Sequence, residues 1–126
     1  MTYATINVAG QYQMSAILDR FRARANANPR IPRILDNWTP QVAITPNDCS
    51  AAWVLVLGHG QIIDIRDGMP DAEHQVTLEG ALHTLGQIFC GELNPVLAHS
   101  DGQLQIYGTN KDQVKLDAIS LVLWGI

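Results

Sequence analysis

The sequence predicts an α+β domain. Two observations carry that expectation. Short runs with strand character cluster between Val42 and Leu78, with one more at Gln103 to Ile106. Helical stripes lie before and after that cluster and do not alternate with its strands, as segregated elements do in α+β proteins. A third observation sets the scale: 126 residues is most simply one domain, long enough to bury a sizeable core. Its composition is 47% hydrophobic and only 16% charged, low against the roughly 25% charged of ordinary domains. Little charge is left to solvate the surface, which suits an apolar cavity, a covered face, or simply an apolar small domain.

Taken in order, Met1 to Gln11 reads as a loose leader. From Tyr12 to about Asn26, Met14, Ile17, Leu18, Phe21 and Ala25 fall at helical spacing on one face. Arg20, Arg22 and Arg24 flank that stripe. A basic amphipathic helix can make transient contact with an anionic membrane, but the ordinary role of such a stripe is to dock on the protein's own core. Asn28-Pro29 ends the helix, and the proline-rich segment to Pro40 links it to the rest. Residues 1–37 are therefore expected to be a helix and linker, with residues 38–126 as the main folded unit of one compact whole. Deleting residues 1–34 is expected to leave a folded domain. Trp38 is expected to plug one end of the core.

Val42 and Ile44 alternate as the first strand, and Thr45 to Asp48 forms a turn. Ala51 to Leu57 is apolar on both faces and reads as a central strand. Gly58-His59-Gly60 joins it in a hairpin to Gln61–Arg66, with Ile63 and Ile65 expected on one face. The glycine pair is not a nucleotide loop, which needs further glycines and a following helix. Glu73 to Leu78 follows as a third meander strand. Glu79 to Cys90 is a helix whose stripe is Leu78, Leu82, Leu85 and Phe89.

The stretch Ile88 to Gly108 has the most ordered grammar. Gly91 can stop the preceding helix in the left-handed conformation. Asn94-Pro95 starts a short new one. Ser100-Asp101-Gly102 turns the chain, and Leu104 and Ile106 alternate with Gln103 and Gln105 as a strand. The spacing G-x-L-x-P-x-x-A-x-x-x-G-x-L-x-I-x-G, followed by a C-terminal helix, resembles the sterol carrier protein 2 sterol-transfer domain. The sharp match covers Phe89 to Gly108, and the order of elements extends it from about Trp38 to the C-terminus. Gln103 stands where the family often has Lys. The chain ends Trp124-Gly125-Ile126, unlike the S-K-L tripeptide of peroxisomal members.

The resemblance implies a five-stranded sheet covered on one face by helices. It also implies an apolar tunnel between the two layers, partly closed by the last helix. The lining it suggests is Trp53, Leu55 and Ile106 from the sheet, Leu82, Leu85 and Phe89 from one helix, Val96 and Leu97 from the short one, and Ile119, Leu123 and Trp124 from the terminal helix. Each of these taken alone is also an ordinary core residue. The terminal helix is apolar nearly all round, with Val114, Ala118, Leu121 and Val122 on one side and Leu116, Ile119 and Leu123 on the other. Such a helix is either buried between layers or covered from outside.

Three functions compete. The first is non-enzymatic binding or transfer of a sterol, fatty-acyl or isoprenoid lipid. The second is an accessory module of lipid or quinone metabolism whose terminal helix is a homodimer or partner interface. The third is a small cofactor-free enzyme acting on a hydrophobic substrate through His83, His99 or Asp101. No nucleophile–base pair or cofactor motif is evident, and a carrier needs none. The four histidines and two cysteines lack metal-ligand spacing, and Cys49 and Cys90 give no disulfide framework. Asp64, Asp67, Asp71 and Glu73 read as solvated turn carboxylates. Residues 1–34 carry a balance of +4 and residues 35–126 one of −8, so the folded bulk would repel nucleic acid. Neither a membrane span nor a signal core is evident, and a reduced, soluble, cytoplasmic protein is expected.

Overall fold

The computed structural model describes residues 3–125, with side chains described from Gln13 onward. The element order is α1 (Tyr3–Ala27), α2 (Ile31–Ile34), β1 (Gln41–Pro46), β2 (Trp53–Gly58), β3 (Gln61–Asp67), β4 (Gln75–Gly80), α3 (Leu82–Phe89), α4 (Pro95–Ser100), β5 (Gln105–Tyr107) and α5 (Asn110–Trp124). Helix α1 is longer than expected: the stretch read as a loose leader is helical from Tyr3, and Met1 and Thr2 lie outside the described residues. The five strands form one sheet in the order β3-β2-β1-β4-β5.

The chain is α+β, with mostly antiparallel pairing and one parallel pair between β1 and β4. That pair corrects one expectation. The strand after β3 does not continue the meander; it crosses to the far side of β1, which places β1 at the middle of the sheet with β2 an interior strand beside it. The crossing is held at its end by Gln41, whose side-chain oxygen accepts from the backbone N–H groups of Asp71 and Ala72. The Gln41 backbone N–H then donates to the His74 carbonyl, where the parallel pairing begins.

The β2–β3 hairpin turns at His59 and Gly60, with φ of 54° and 73°. Positive φ at both central residues is the type I′ pattern that matches strand twist. A bulge between Val56 and Leu57 then shifts the register. Its effect is to bring Ile62 into the core with Ile65 packed against it, while Ile63 is 42% exposed. Ile63 and Ile65 therefore do not share a face as strict alternation predicts.

One face of the sheet carries Val42, Ile44, Trp53, Leu55, Leu57, Ile62, Val76 and Leu78 into a single core with Met14, Leu18, Phe21 and Ala25 of α1. Helix α1 lies on α3 and along the edge strand β3. Asn26 treats that edge as a strand would: its side chain donates to the Ile62 carbonyl and accepts from the Ile62 N–H. Arg22 adds bonds to the carbonyls of Ile62 and Ile63. An exposed row of backbone groups is thus covered. At the opposite side Gly80 lets the chain pass close, because a Cβ there would stand 2.7 Å from the Gln103 carbonyl oxygen.

Helix ends follow the sequence signals. Asp48 accepts from the Leu82 N–H at the start of α3. Gly91, at φ 94°, follows its end. Asn94 caps α4 by accepting from Val96, with Pro95 in the first turn. Thr109 and Asp112 form a reciprocal capping box at the start of α5. No described helix is long and apolar enough to cross a membrane.

Candidate functional site

Between the sheet and α5 lies a cavity of about 110 Å³. Its floor is Val42, Leu55, Leu57, Ile62, Leu78 and Ile106, drawn from all five strands. Its roof is the inward face of α5: Leu116, Ile119, Ser120 and Leu123. These fall three and four residues apart, the spacing of one helical stripe. The ends are closed by two different devices.

One end is aromatic. Phe21 of α1 and Phe89 of α3 meet edge to face with ring centroids 4.9 Å apart, and Trp124 lies 5.5 Å from Phe21. The Trp124 indole N–H donates to the Ile88 carbonyl at 2.7 Å, which fixes the ring as part of the wall. Arg24 stacks over both Phe21 and Trp124, its guanidinium carbon 5.7 and 5.6 Å from the ring centres. Such contacts join α1 to the end of α5.

The other end is polar behind an apolar wall. Trp38 is buried and lines the cavity, and its indole N–H donates to Asp112 Oδ1 at 2.8 Å. His74 Nε2 lies 2.9 Å from the same oxygen, while the Thr109 backbone N–H donates to Oδ2. Burial raises the Asp112 pKa, but the bonds from Trp38, Thr109 and His74 outweigh it, and the carboxyl lies below its ordinary value. Trp38 thus plugs one end, as expected, with a buried carboxylate behind it.

Polar atoms in the walls are satisfied by the protein itself. Ser120 donates to the Leu116 carbonyl at 2.8 Å. No buried side-chain nitrogen or oxygen among the described residues lacks a partner. The interior is therefore predominantly apolar, and apolar cavities stay dry; one of about 150 Å³ accepts benzene. The exposed lining residues are Val96 and His99 of α4 and Asp117 of α5. The cavity consequently opens to solvent between those two helices.

Of the residues suggested from sequence, Leu55, Phe89, Val96, Ile106, Ile119, Leu123 and Trp124 line this cavity. Trp53, Leu82, Leu85 and Leu97 do not. Leu85 is fully buried in the core, and Trp53 turns its indole N–H to Ser15 at 3.2 Å. Leu82 packs at the core margin. Leu97 is 61% exposed, because α4 seats itself through its small neighbour Ala98. Of His83, His99 and Asp101, only His99 lines the cavity, so those three groups do not converge there. No cluster of potential metal ligands occurs among the described residues. The unforeseen lining includes Phe21, Ala25, Ile31 and Leu35 of the N-terminal segment. The helical stripe that holds Phe21 and Ala25 is legible in the sequence, whereas Ile31 and Leu35 lie in the proline-rich stretch that reads as a linker.

No protein-family model matches the sequence, and no curated protein does. Solved structures do resemble it. A crystal structure of sterol carrier protein 2 superposes with a TM-score of 0.63 at 18% identity, covering 88% of this chain and 95% of that one. Palmitated SCP2L2 from Aedes aegypti, solved by solution NMR, gives 0.56 at 20% identity, covering 82% and 90%. A ubiquinone synthesis protein, UbiJ-SCP2, gives 0.57 at 11% identity, covering 95% and 93%. The chain has the sterol carrier protein 2 fold.

Proposed function

We propose that this chain is a non-enzymatic carrier of an apolar lipid of the sterol, fatty-acyl or isoprenoid class. The observation that carries this reading is the cavity between sheet and α5, whose interior polar groups are all paired within the protein. A ligand entering it leaves water without breaking any protein hydrogen bond, and gains about 0.8 kcal/mol per buried methylene. The palmitated Aedes protein of the same fold lends the reading support.

In this reading Leu55, Phe89, Val96, Ile106, Ile119, Leu123 and Trp124 touch the ligand. Trp53, Leu82 and Leu85 support them from behind, and Leu97 flanks the mouth. At about 110 Å³ the cavity seats one ring or the end of a chain, so a larger ligand must part α4 from α5 or trail out between them. The carrier would work in the cytoplasm.

The second reading is an accessory module of lipid or quinone metabolism. It is favoured by the fold shared with UbiJ-SCP2 and by the outer face of α5, where Val114 is 67% and Leu121 50% exposed. That face is suited to a partner or a second copy of the chain. Native mass spectrometry of the freshly purified protein tests the first reading. A retained lipid, or uptake of an added sterol or fatty acid, is expected, with NMR shifts on both sheet and helices. A folded protein that takes up neither sinks it. Conversion of a dimer to a monomer by Val114→Ser with Leu121→Ser, with uptake unchanged, would favour the interface reading.

A further inference from the structure

The cavity is apolar within, so a bound lipid must leave its polar end at the mouth. The side chains that meet it there are His99 on α4 and Asp117 on α5, both exposed. No Lys or Arg among the described residues lines the cavity. Lys115, on the neighbouring turn of α5, is turned away and donates to the Ile34 carbonyl at 2.8 Å. Arg24 is held over the outer rings of the aromatic end. Among the described residues the only formal charge on the lining is therefore the carboxylate of Asp117.

Resting on the carrier reading, we infer that the mouth favours lipids whose polar end is an uncharged hydroxyl over those with carboxylate or phosphate heads. An ionised carboxylate is an acceptor only, so Asp117 can take a hydrogen bond from a hydroxyl but none from a fatty-acid anion. A bond to an ionised acceptor is also stronger than one between neutral groups. The same hydroxyl oxygen can accept from an imidazole N–H of His99. A carboxylate in that place sets two negative charges side by side. Beside the low-dielectric cavity wall, such repulsion lowers affinity by roughly tenfold. Asp117 is thus a specificity-determining residue, acting on the head while the cavity holds the tail.

The test is fluorescence displacement with a matched pair of probes: a long-chain primary alcohol and the fatty acid of the same tail. Wild-type protein is expected to bind the alcohol roughly tenfold more tightly. Asp117→Asn should bring the two affinities within about twofold, chiefly by improving the acid, and Asp117→Lys should reverse the preference. Because Asp117 is exposed, both variants should melt as the wild type does, and Ala118→Asp, one position along α5, serves as a charge control. Equal affinities in the wild type, or a preference unmoved by Asp117→Asn, overturns the inference while leaving the carrier reading intact. Binding of neither probe by folded protein overturns both.

Discussion

Asp112 is 1% exposed yet charged, and it touches three parts of the chain. Its oxygens take the indole N–H of Trp38 and the backbone N–H of Thr109, with His74 at 2.9 Å. Replacing it by Asn keeps the shape but turns an amide donor toward one of those donors. A buried donor left facing a donor costs about 1–3 kcal/mol, so Asp112→Asn should lower stability by roughly 2 kcal/mol in denaturant melts near neutral pH. The pH dependence has a definite sign. The folded-state pKa is depressed, so on acidification the unfolded chain takes up the proton first. The contribution is fully present above the ordinary carboxylate range and is lost as pH falls through the folded-state value. The gap between wild type and Asp112→Asn should therefore narrow below about pH 4. A gap constant down to acid unfolding would mean that the carboxylate charge is not what matters.

At the scale of elements, α1 and α5 decide the most. The division drawn from sequence at residue 37 predicts that a chain lacking residues 1–34 still folds. The packing argues the reverse. Met14, Leu18, Phe21, Ala25 and Ile31 are each at most 6% exposed and belong to the same core as the sheet. Removing buried side chains of this size costs about 2–5 kcal/mol apiece, and a whole domain is stable by about 5–15. The truncated chain should lose its cooperative thermal transition, and a sharp transition would restore the earlier division. For α5, Leu123→Ser removes apolar wall beside existing space. Stability should fall by about 1–2 kcal/mol, below the tight-core range, while uptake of a fluorescent sterol or fatty-acid analogue falls at least tenfold. Collapse of the fold would make Leu123 plain core.

These elements also mark what the sequence made legible. The Gly91 stop and the Asn94-Pro95 restart were readable because local chemistry fixes them. The place of β4 beside β1 was not, since a strand's own alternation does not name its neighbour. Nor was the inward turn of Ile62, which depends on the extra residue that β3 carries at Ile63 opposite Val56 and Leu57. For the cavity, the stripes of α3 and α5 were visible, but which stripe residue meets empty space and which meets another side chain is a long-range matter. Leu85 and Phe89 share one stripe, and only Phe89 borders the cavity. Leu97 failed for a different reason: a helix of 6 residues can be seated by one small residue, Ala98, leaving larger neighbours outside.

For the molecule as a whole, the cavity links binding to stability. Any ligand taken up by the folded chain alone stabilises it by mass action, by about 2.7 kcal/mol at a hundred times Kd. In a domain of this size that should raise the melting temperature by roughly 10 °C. A thermal-shift titration should show the rise with ligand concentration, and Leu123→Ser should blunt it. A ligand that binds by displacement assay yet leaves the melt unmoved would have to sit on the outside.

Helix α5 is fastened at both of its ends. Asp112 holds the first turn, and at the last Trp124 donates to the Ile88 carbonyl while the Gly125 carbonyl accepts from Asn94. Between those ends Lys115 reaches the Ile34 carbonyl, and Leu116, Ile119 and Leu123 face the cavity. Mechanically this is a beam clamped at each end, which yields to a load by bowing at midspan and not by swinging about a pivot. Swelling the cavity then grows steadily harder as the guest becomes thicker, while a guest that is merely longer can run out past α4. In a homologous series, affinity should drop with the cross-section of the guest and level off with its length.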